Sequence, residues 1–255
     1  MDQFSIAQDV AKLLPNMQVV VVTAYNLDNT GTNAQVAEFA EETATATLSS
    51  LSAYPNAQSH PRIALYRDTL KEKCNLSAKK FPQSNESLYR RLLKDKKALR
   101  PINPVVDFYN AVSIKHAVTA GAFDLGELQT RSVQPLELRM SSAGDSFKAL
   151  DAETDAPPTE VGAGELVYAQ GPMVLTRHLA WRQAAQGVVT EKTRSVIFMS
   201  EVLDGQGVAG SMELTQRVAD DLVDGLRRYF GVEGQVTVLG NVGGKLSVGL
   251  HSAFF

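Results

Sequence analysis

Hydrophobic and polar positions alternate along this chain with two different periods, and the change of period divides it. Gln18 to Ala24, with four consecutive valines, predicts a buried strand. Beyond a turn at Asn29-Thr30-Gly31, Thr32 and Gln35 stand at capping-box spacing and predict a helix to about Leu48. Pro61 opens a second helix to about Lys73. Ser84 is placed to cap a third, with Leu88, Tyr89 and Leu92 turned inward and Arg90, Arg91, Lys94 and Lys97 mostly outward. Asn103 and Pro104 predict the start of a fourth, whose stripe of Val105, Tyr109 and Val112 is widened by Val106 and Phe108.

From Gly121 the pattern turns to short β segments: 122–125, 136–141, 147–150, 166–169, 173–176 and 195–200. The acidic, proline-bearing stretch 151–162 predicts a loop. A long helix is expected from about Ser211 to Phe230, closed by Gly231. A hairpin should follow, pairing 235–239 with 245–250 around Asn241-Val242-Gly243-Gly244. Helices, then strands, then a helix and hairpin predict an α+β fold with a mixed or antiparallel β core. No internal repeat breaks the sequence, so residues 1–255 are read as a single domain with 1–84 and 204–255 joining the same body.

Composition narrows the class. A hydrophobic share of 44% over 255 residues supports a proper core. No stretch approaches the roughly 18 apolar residues of a membrane span, and the N-terminus shows no secretory pattern, so a cytoplasmic protein is expected. The single cysteine, Cys74, excludes an intrachain disulfide and any multi-cysteine zinc site. The net charge of −3 argues against a general nucleic-acid coat protein. Between Arg62 and Arg100, however, twelve Lys or Arg face four acids, a local balance of +8. That asymmetry could present one positive face to an RNA backbone, with Lys94, Lys97 and Arg100 as phosphate contacts, or it could be two solvated helix surfaces.

Candidate chemistry is sparse. Asn103, Asp107 and Asn110 recur along one helix face, where a carboxylate could hold an ammonium group or tie the helix to the following loop. Arg177-His178-Leu179-Ala180-Trp181-Arg182 holds the chain's only tryptophan between two arginines. As a helical turn it would lay Arg177 over Trp181, leaving the Arg182 fork for a carboxylate or phosphate. It could equally be an amphipathic turn with a core tryptophan. Gly240 to Lys245 lacks phosphate-loop spacing and reads as a hairpin turn. No nucleophile elbow or zinc helix occurs, and His60, His116, His178 and His251 show no metal spacing, so no metal or cofactor is expected.

One ordered set of motifs adds to this. Asn103-x-Val105-Val106-Asp107-x-x-Asn110 leads to Ala122-Phe123-Asp124, then Leu136-Glu137-Leu138-Arg139-Met140, Ser142-Ala143-Gly144-Asp145 and Leu150-Asp151. Gly164-Glu165-Leu166-Val167-Tyr168, Thr190-Glu191-Lys192-Thr193 and Val196-Ile197-Phe198 follow. Over roughly residues 85–203 this resembles the B3/B4 domain of the bacterial phenylalanyl-tRNA synthetase β subunit. The resemblance implies a B3/B4-type fold and a site that hydrolyses wrongly attached tyrosine from tRNA.

The family's H-A-F-D histidine is Gly121 here, and its editing glutamate falls near Val188, so inherited catalysis is not implied. Three possibilities stay open. The chain could be an aminoacyl-tRNA deacylase whose site is rebuilt from His178, Arg182, Thr190 and Thr193, with Asn103, Asp107, Asn110, Arg177 and Trp181 binding substrate. It could be a non-catalytic RNA or tRNA binder using the basic helices. It could be a small-molecule protein taking an amino-acid-like ligand in the same cleft. The helix Met212 to Phe230 and the end Ala253-Phe254-Phe255 could make a homo-oligomer contact or cover the sheet.

Overall fold

In the computed structural model, residues 4–205, 211–242, 245–246 and 249–251 are described. The fold is α+β. Its N-terminal part carries β1 (Phe4–Ile6), α1 (Gln8–Leu13), β2 (Met17–Tyr25), α2 (Ala34–Leu51), α3 (Pro61–Cys74), α4 (Ser84–Asp95) and α5 (Pro104–His116). The middle carries β3 (Gly121–Asp124), α6 (Leu125–Arg131), β4 (Leu136–Met140), β5 (Ser146–Phe147), β6 (Thr159–Glu160), β7 (Leu166–Gln170), β8 (Met173–Arg177), β9 (Arg182–Gln183) and β10 (Ser195–Leu203). The chain then adds α7 (Ser211–Phe230), β11 (Gly234–Val242), β12 (Lys245–Leu246) and β13 (Gly249–His251).

Two sheets form among the described residues. One runs β12-β11-β2-β10-β3, with β13 also on β11. The other runs β1-β4-β7-β8-β5-β6, with β9 also on β8. The β1–β4 and β5–β8 pairs are parallel and the rest antiparallel, so the β core is mixed.

The valine run of β2 is central because both its faces are covered. Val19 and Val21 pack with Ile197 and Met199 and with Leu138, Leu166 and Tyr168 of the other sheet. Val20, Val22 and Ala24 face Val105, Phe108 and Val112 of α5 and Val218, Leu222 and Leu226 of α7. Full burial of such side chains contributes on the order of 1.5–3 kcal/mol each, which explains why an unbroken apolar run suits this strand. Helices α2, α3 and α4 gather on the C-terminal half of α5 through Leu51, Ile63, Leu88, Leu92 and Ile114.

Several local expectations change. Asn33 caps α2, its side chain accepting from the Gln35 and Val36 amides, so Thr32 is not the cap. Ser84 is the first residue of α4 rather than its cap, because Gln83 holds the N-cap position without capping through its side chain. Leu125 starts a helix instead of ending a strand, since Asp124 accepts from the Glu127 amide and turns the chain. The strand expected over 147–150 stops at Phe147, leaving one bridge from Ala149 to Ala184. Helix α7 lies on the sheet through Leu214, Val218, Leu222 and Leu226. Gly231 ends it in the left-handed conformation that glycine tolerates. The hairpin strands pair Asn241 with Leu246 and Val236 with His251. Gly243, Gly244, Ala253, Phe254 and Phe255 lie outside the described residues.

Candidate functional site

Asn103 caps α5, its side-chain oxygen accepting from the Val106 amide at 3.1 Å. A second buried amide, Asn29, accepts from the Val105 amide (2.8 Å) and donates to Asn103 (3.1 Å) and to the Thr190 carbonyl (2.8 Å). Asn103 is thereby spent on holding the helix start between two loops. Asp107 accepts from the preceding Ile102 amide at 2.9 Å, a tie backward along the chain rather than to the following loop, and burial raises its carboxyl pKa. The third member of the row, Asn110, faces a cavity.

That cavity, about 190 Å³, is where the two chain stretches meet. Helix α5 contributes Tyr109 and Asn110, and β3 contributes Gly121 and Phe123. Trp181 comes from the β8–β9 turn and Arg182 from the start of β9. Tyr168 of β7 and Met199 and Glu201 of β10 complete it, with Ser84 at the start of α4. The turn is not helical: His178 and Leu179 both sit at positive φ (49° and 66°), which folds the chain sharply between two paired strands.

Gln83 holds this turn from outside. Its side-chain oxygen accepts from the Ala180 amide (3.0 Å) while its nitrogen donates to the His178 carbonyl (3.0 Å). A side chain that pins a neighbouring turn is not free to cap its own helix, which accounts for the bare start of α4.

The expected site residues therefore separate. Asn110, Trp181 and Arg182 share the cavity. Arg182 is exposed at its edge, pairs with Asp151 at 2.6 Å and lies 5.8 Å from the Trp181 ring. Arg177 instead grips Glu165 through two nitrogens (2.9 and 2.6 Å) and covers Phe147. His178 packs against Phe81, ring centroids 3.8 Å apart and tilted by 36°, and is not part of the cavity lining. Burial lowers its pKa, opposed by Glu165 and assisted by Arg177. Thr193 donates to Asp124 at 2.6 Å and accepts from the Thr190 amide at 2.9 Å, a brace for the start of α6. Thr190 itself is exposed.

Sequence reasoning passed over Glu201. Residues 197, 199, 201 and 203 share one face of β10, so the carboxylate stands in a row with Ile197, Met199 and Leu203. It is 2% exposed. Tyr168 donates to one carboxylate oxygen and Thr119 to the other, while Tyr66 donates to the Glu201 backbone carbonyl. Burial raises the Glu201 pKa against those hydroxyl contacts, and burial together with this carboxylate pushes Tyr168 well above the usual phenol value. The available signal was a glutamate at the inward-facing position of a strand that is apolar on both sides.

The positive segment forms a second, open feature of about 710 Å³. Arg90, Arg91 and Lys94 of α4 and Lys96 at its end face Asn56 and Gln58 across it. Among the described residues none of these four cations pairs with a carboxylate. Arg67, by contrast, is spent on Glu86 at 2.8 Å. Lys97 and Arg100 are exposed beyond the groove lining. Ser84, Ser87, Arg91 and Lys94 recur at helical spacing, so one face of α4 runs from cavity to groove over about 15 Å. Among the described residues no group of three or more His, Cys, Asp or Glu side chains could hold a metal ion, and no helix is long and apolar enough to cross a membrane.

Comparison with known proteins places these features. The family model of the B3/4 domain matches residues 74–221, which contain α4, α5 and the whole cavity lining. A search of solved structures returns an N-terminal fragment of the phenylalanyl-tRNA synthetase β-subunit from Pyrococcus horikoshii. It is similar at 8% identity and a TM-score of 0.38, over 96% of this chain and 53% of the fragment. The chain thus spans about half the length of that fragment. A search of curated proteins found no match.

Proposed function

The chain belongs to the B3/4 domain family, and on that premise we propose that it binds RNA, with tRNA as the partner, laying the backbone along α4 and a terminal group in the cavity. Support comes from one observation: a single helix face carries Ser84 at the cavity and Arg91 and Lys94 in a groove of unpaired cations. Phosphates are attracted to such a surface regardless of sequence, while a small hollow can select the group at a strand's end. Arg182 and Trp181 line the hollow, where a guanidinium and an indole suit a phosphate and a base.

Hydrolysis in trans of the ester that joins a wrong amino acid to tRNA, releasing the free amino acid and intact tRNA, is the finer form of this proposal. His178, Thr190 and Thr193 lie off the cavity, so Arg182 and Glu201 are the charge-bearing groups available to it. A second possibility, a free amino-acid-like ligand, is favoured by the cavity volume of 190 Å³, below the roughly 300–1,000 Å³ of drug-sized pockets.

Titration of tRNA at several salt concentrations tests the proposal. Four phosphate contacts predict a log–log slope of roughly −3 for single-stranded contacts, and Arg91→Glu with Lys94→Glu should weaken binding by about tenfold or more. A flat salt response, or unchanged affinity in the double variant, overturns it. The same preparation incubated with a panel of mischarged tRNAs decides hydrolysis separately.

A further inference from the structure

We propose that the α4 groove contacts bases as well as phosphates, and that its ligand is an unpaired stretch of nucleotides whose hydrogen-bonding edges meet Asn56 and Gln58. This deepens the RNA reading of the same groove and rests on it. Arg90, Arg91, Lys94 and Lys96 supply one wall. Cations alone treat every phosphate chain alike, since phosphate contacts carry no sequence information. The facing wall differs in kind, because it carries two side-chain amides.

Both amides are fixed in orientation, each with one end already engaged. The Asn56 side-chain oxygen accepts from the Ser59 amide and hydroxyl, both at 3.0 Å, as it caps the single turn Ala57–Ser59. Only an oxygen can accept from a backbone N–H, so the Asn56 nitrogen is the end left over. The Gln58 nitrogen donates to the Glu86 carboxylate at 3.0 Å, which leaves the Gln58 oxygen. Among the described residues neither remaining atom has a partner. Glu86 is 2% exposed and is gripped by Arg67 at 2.9 and 2.8 Å. A buried carboxylate therefore holds Gln58, so the groove presents one donor and one acceptor in a preset arrangement.

A nucleobase offers the complementary pair, an acceptor beside a donor, on its pairing edge. In a duplex that edge is consumed by the opposite strand; in an unpaired segment it is open to side chains. Pro55 and Leu93 add apolar surface to the lining, and the planar guanidiniums of Arg90 and Arg91 give a base something to lie on. At about 710 Å³ the groove falls within the roughly 300–1,000 Å³ of sites that take small organic ligands. It has room for a base and not only for its phosphate.

Fluorescence anisotropy on the full chain tests this with three labelled ligands: a short mixed-sequence RNA strand, the same sugar–phosphate backbone without bases, and the strand annealed to its complement. The expected result is at least a tenfold preference for the single strand over both others. Asn56→Ser keeps an oxygen to cap the turn while removing the amide nitrogen. Gln58→Leu removes the acceptor and leaves Glu86 to Arg67. Each variant should bring the single strand to within about twofold of the base-free backbone, with that backbone's affinity and salt slope unchanged. Should one variant not fold, the other decides. Equal affinity for the strand with and without bases, duplex binding as tight as single-strand binding, or a preference untouched in a folded variant overturns the proposal. Equal affinities with a steep salt slope remove base contact alone and leave the phosphate reading standing, whereas no binding of any ligand removes both.

Discussion

His178 shows how placement decides what a side chain can do. Packed against Phe81 and 5.4 Å from Trp181, it supports the turn through ring contacts. Burial lowers its pKa, so the unfolded chain takes up this proton before the folded one. Its contribution is present in full above the unfolded value of about 6.5 and is lost as pH falls below it. Burial and the nearby Arg62 lower His60 in the same direction. Denaturant melts between pH 7.5 and 5 should therefore show falling stability, and His178→Phe, which keeps a ring on Phe81, should flatten part of that slope. An unchanged slope would remove His178 from this account.

At the scale of elements, the β8–β9 turn depends on a residue 95 positions away in sequence, since Gln83 supplies the hydrogen bond to His178. Gln83→Ala leaves the half-buried Ala180 amide without its partner, at a cost of about 1 kcal/mol, the low end for an unsatisfied donor. Amide exchange at residues 179–182 should accelerate while β2 and β10 stay protected; uniform acceleration would instead mean global destabilisation. This dependence also explains what was legible in the sequence. Helix α5 was readable because Asn103 and Pro104 are local signals, and β2 because four valines need two buried faces. The Trp181 turn was not, because His178 and Leu179 adopt positive φ without a glycine to announce it. Glu201 escaped for a related reason: a glutamate near a strand end looks solvated until its row-mates Ile197, Met199 and Leu203 are known to face inward. Neither the meeting of Asn110 with Trp181 and Arg182 at one cavity nor the brace made by Thr193 on Asp124 is encoded by any local spacing, because each joins elements far apart in the chain.

Across the whole molecule, charge is divided rather than balanced. The segment 62–100 carries a surplus of +8 in a chain whose total is −3. Exposed Arg90, Arg91, Lys94 and Lys96 gather that surplus in one groove. Retention by an immobilised polyanion such as heparin at pH 7.5, despite net negative charge, is the expected outcome, with early elution of Arg91→Glu/Lys94→Glu. Equal retention of parent and variant would place the positive face elsewhere. The central position of β2 has a separate consequence for biosynthesis. Val22 pairs with Phe198 on one side and Val236 on the other. A ribosome therefore exposes the valine-rich segment long before either flanking strand exists, leaving a sticky ribbon with two open edges for most of translation. Yield in cells should thus hinge on holdase capacity more than on the final fold's melting temperature.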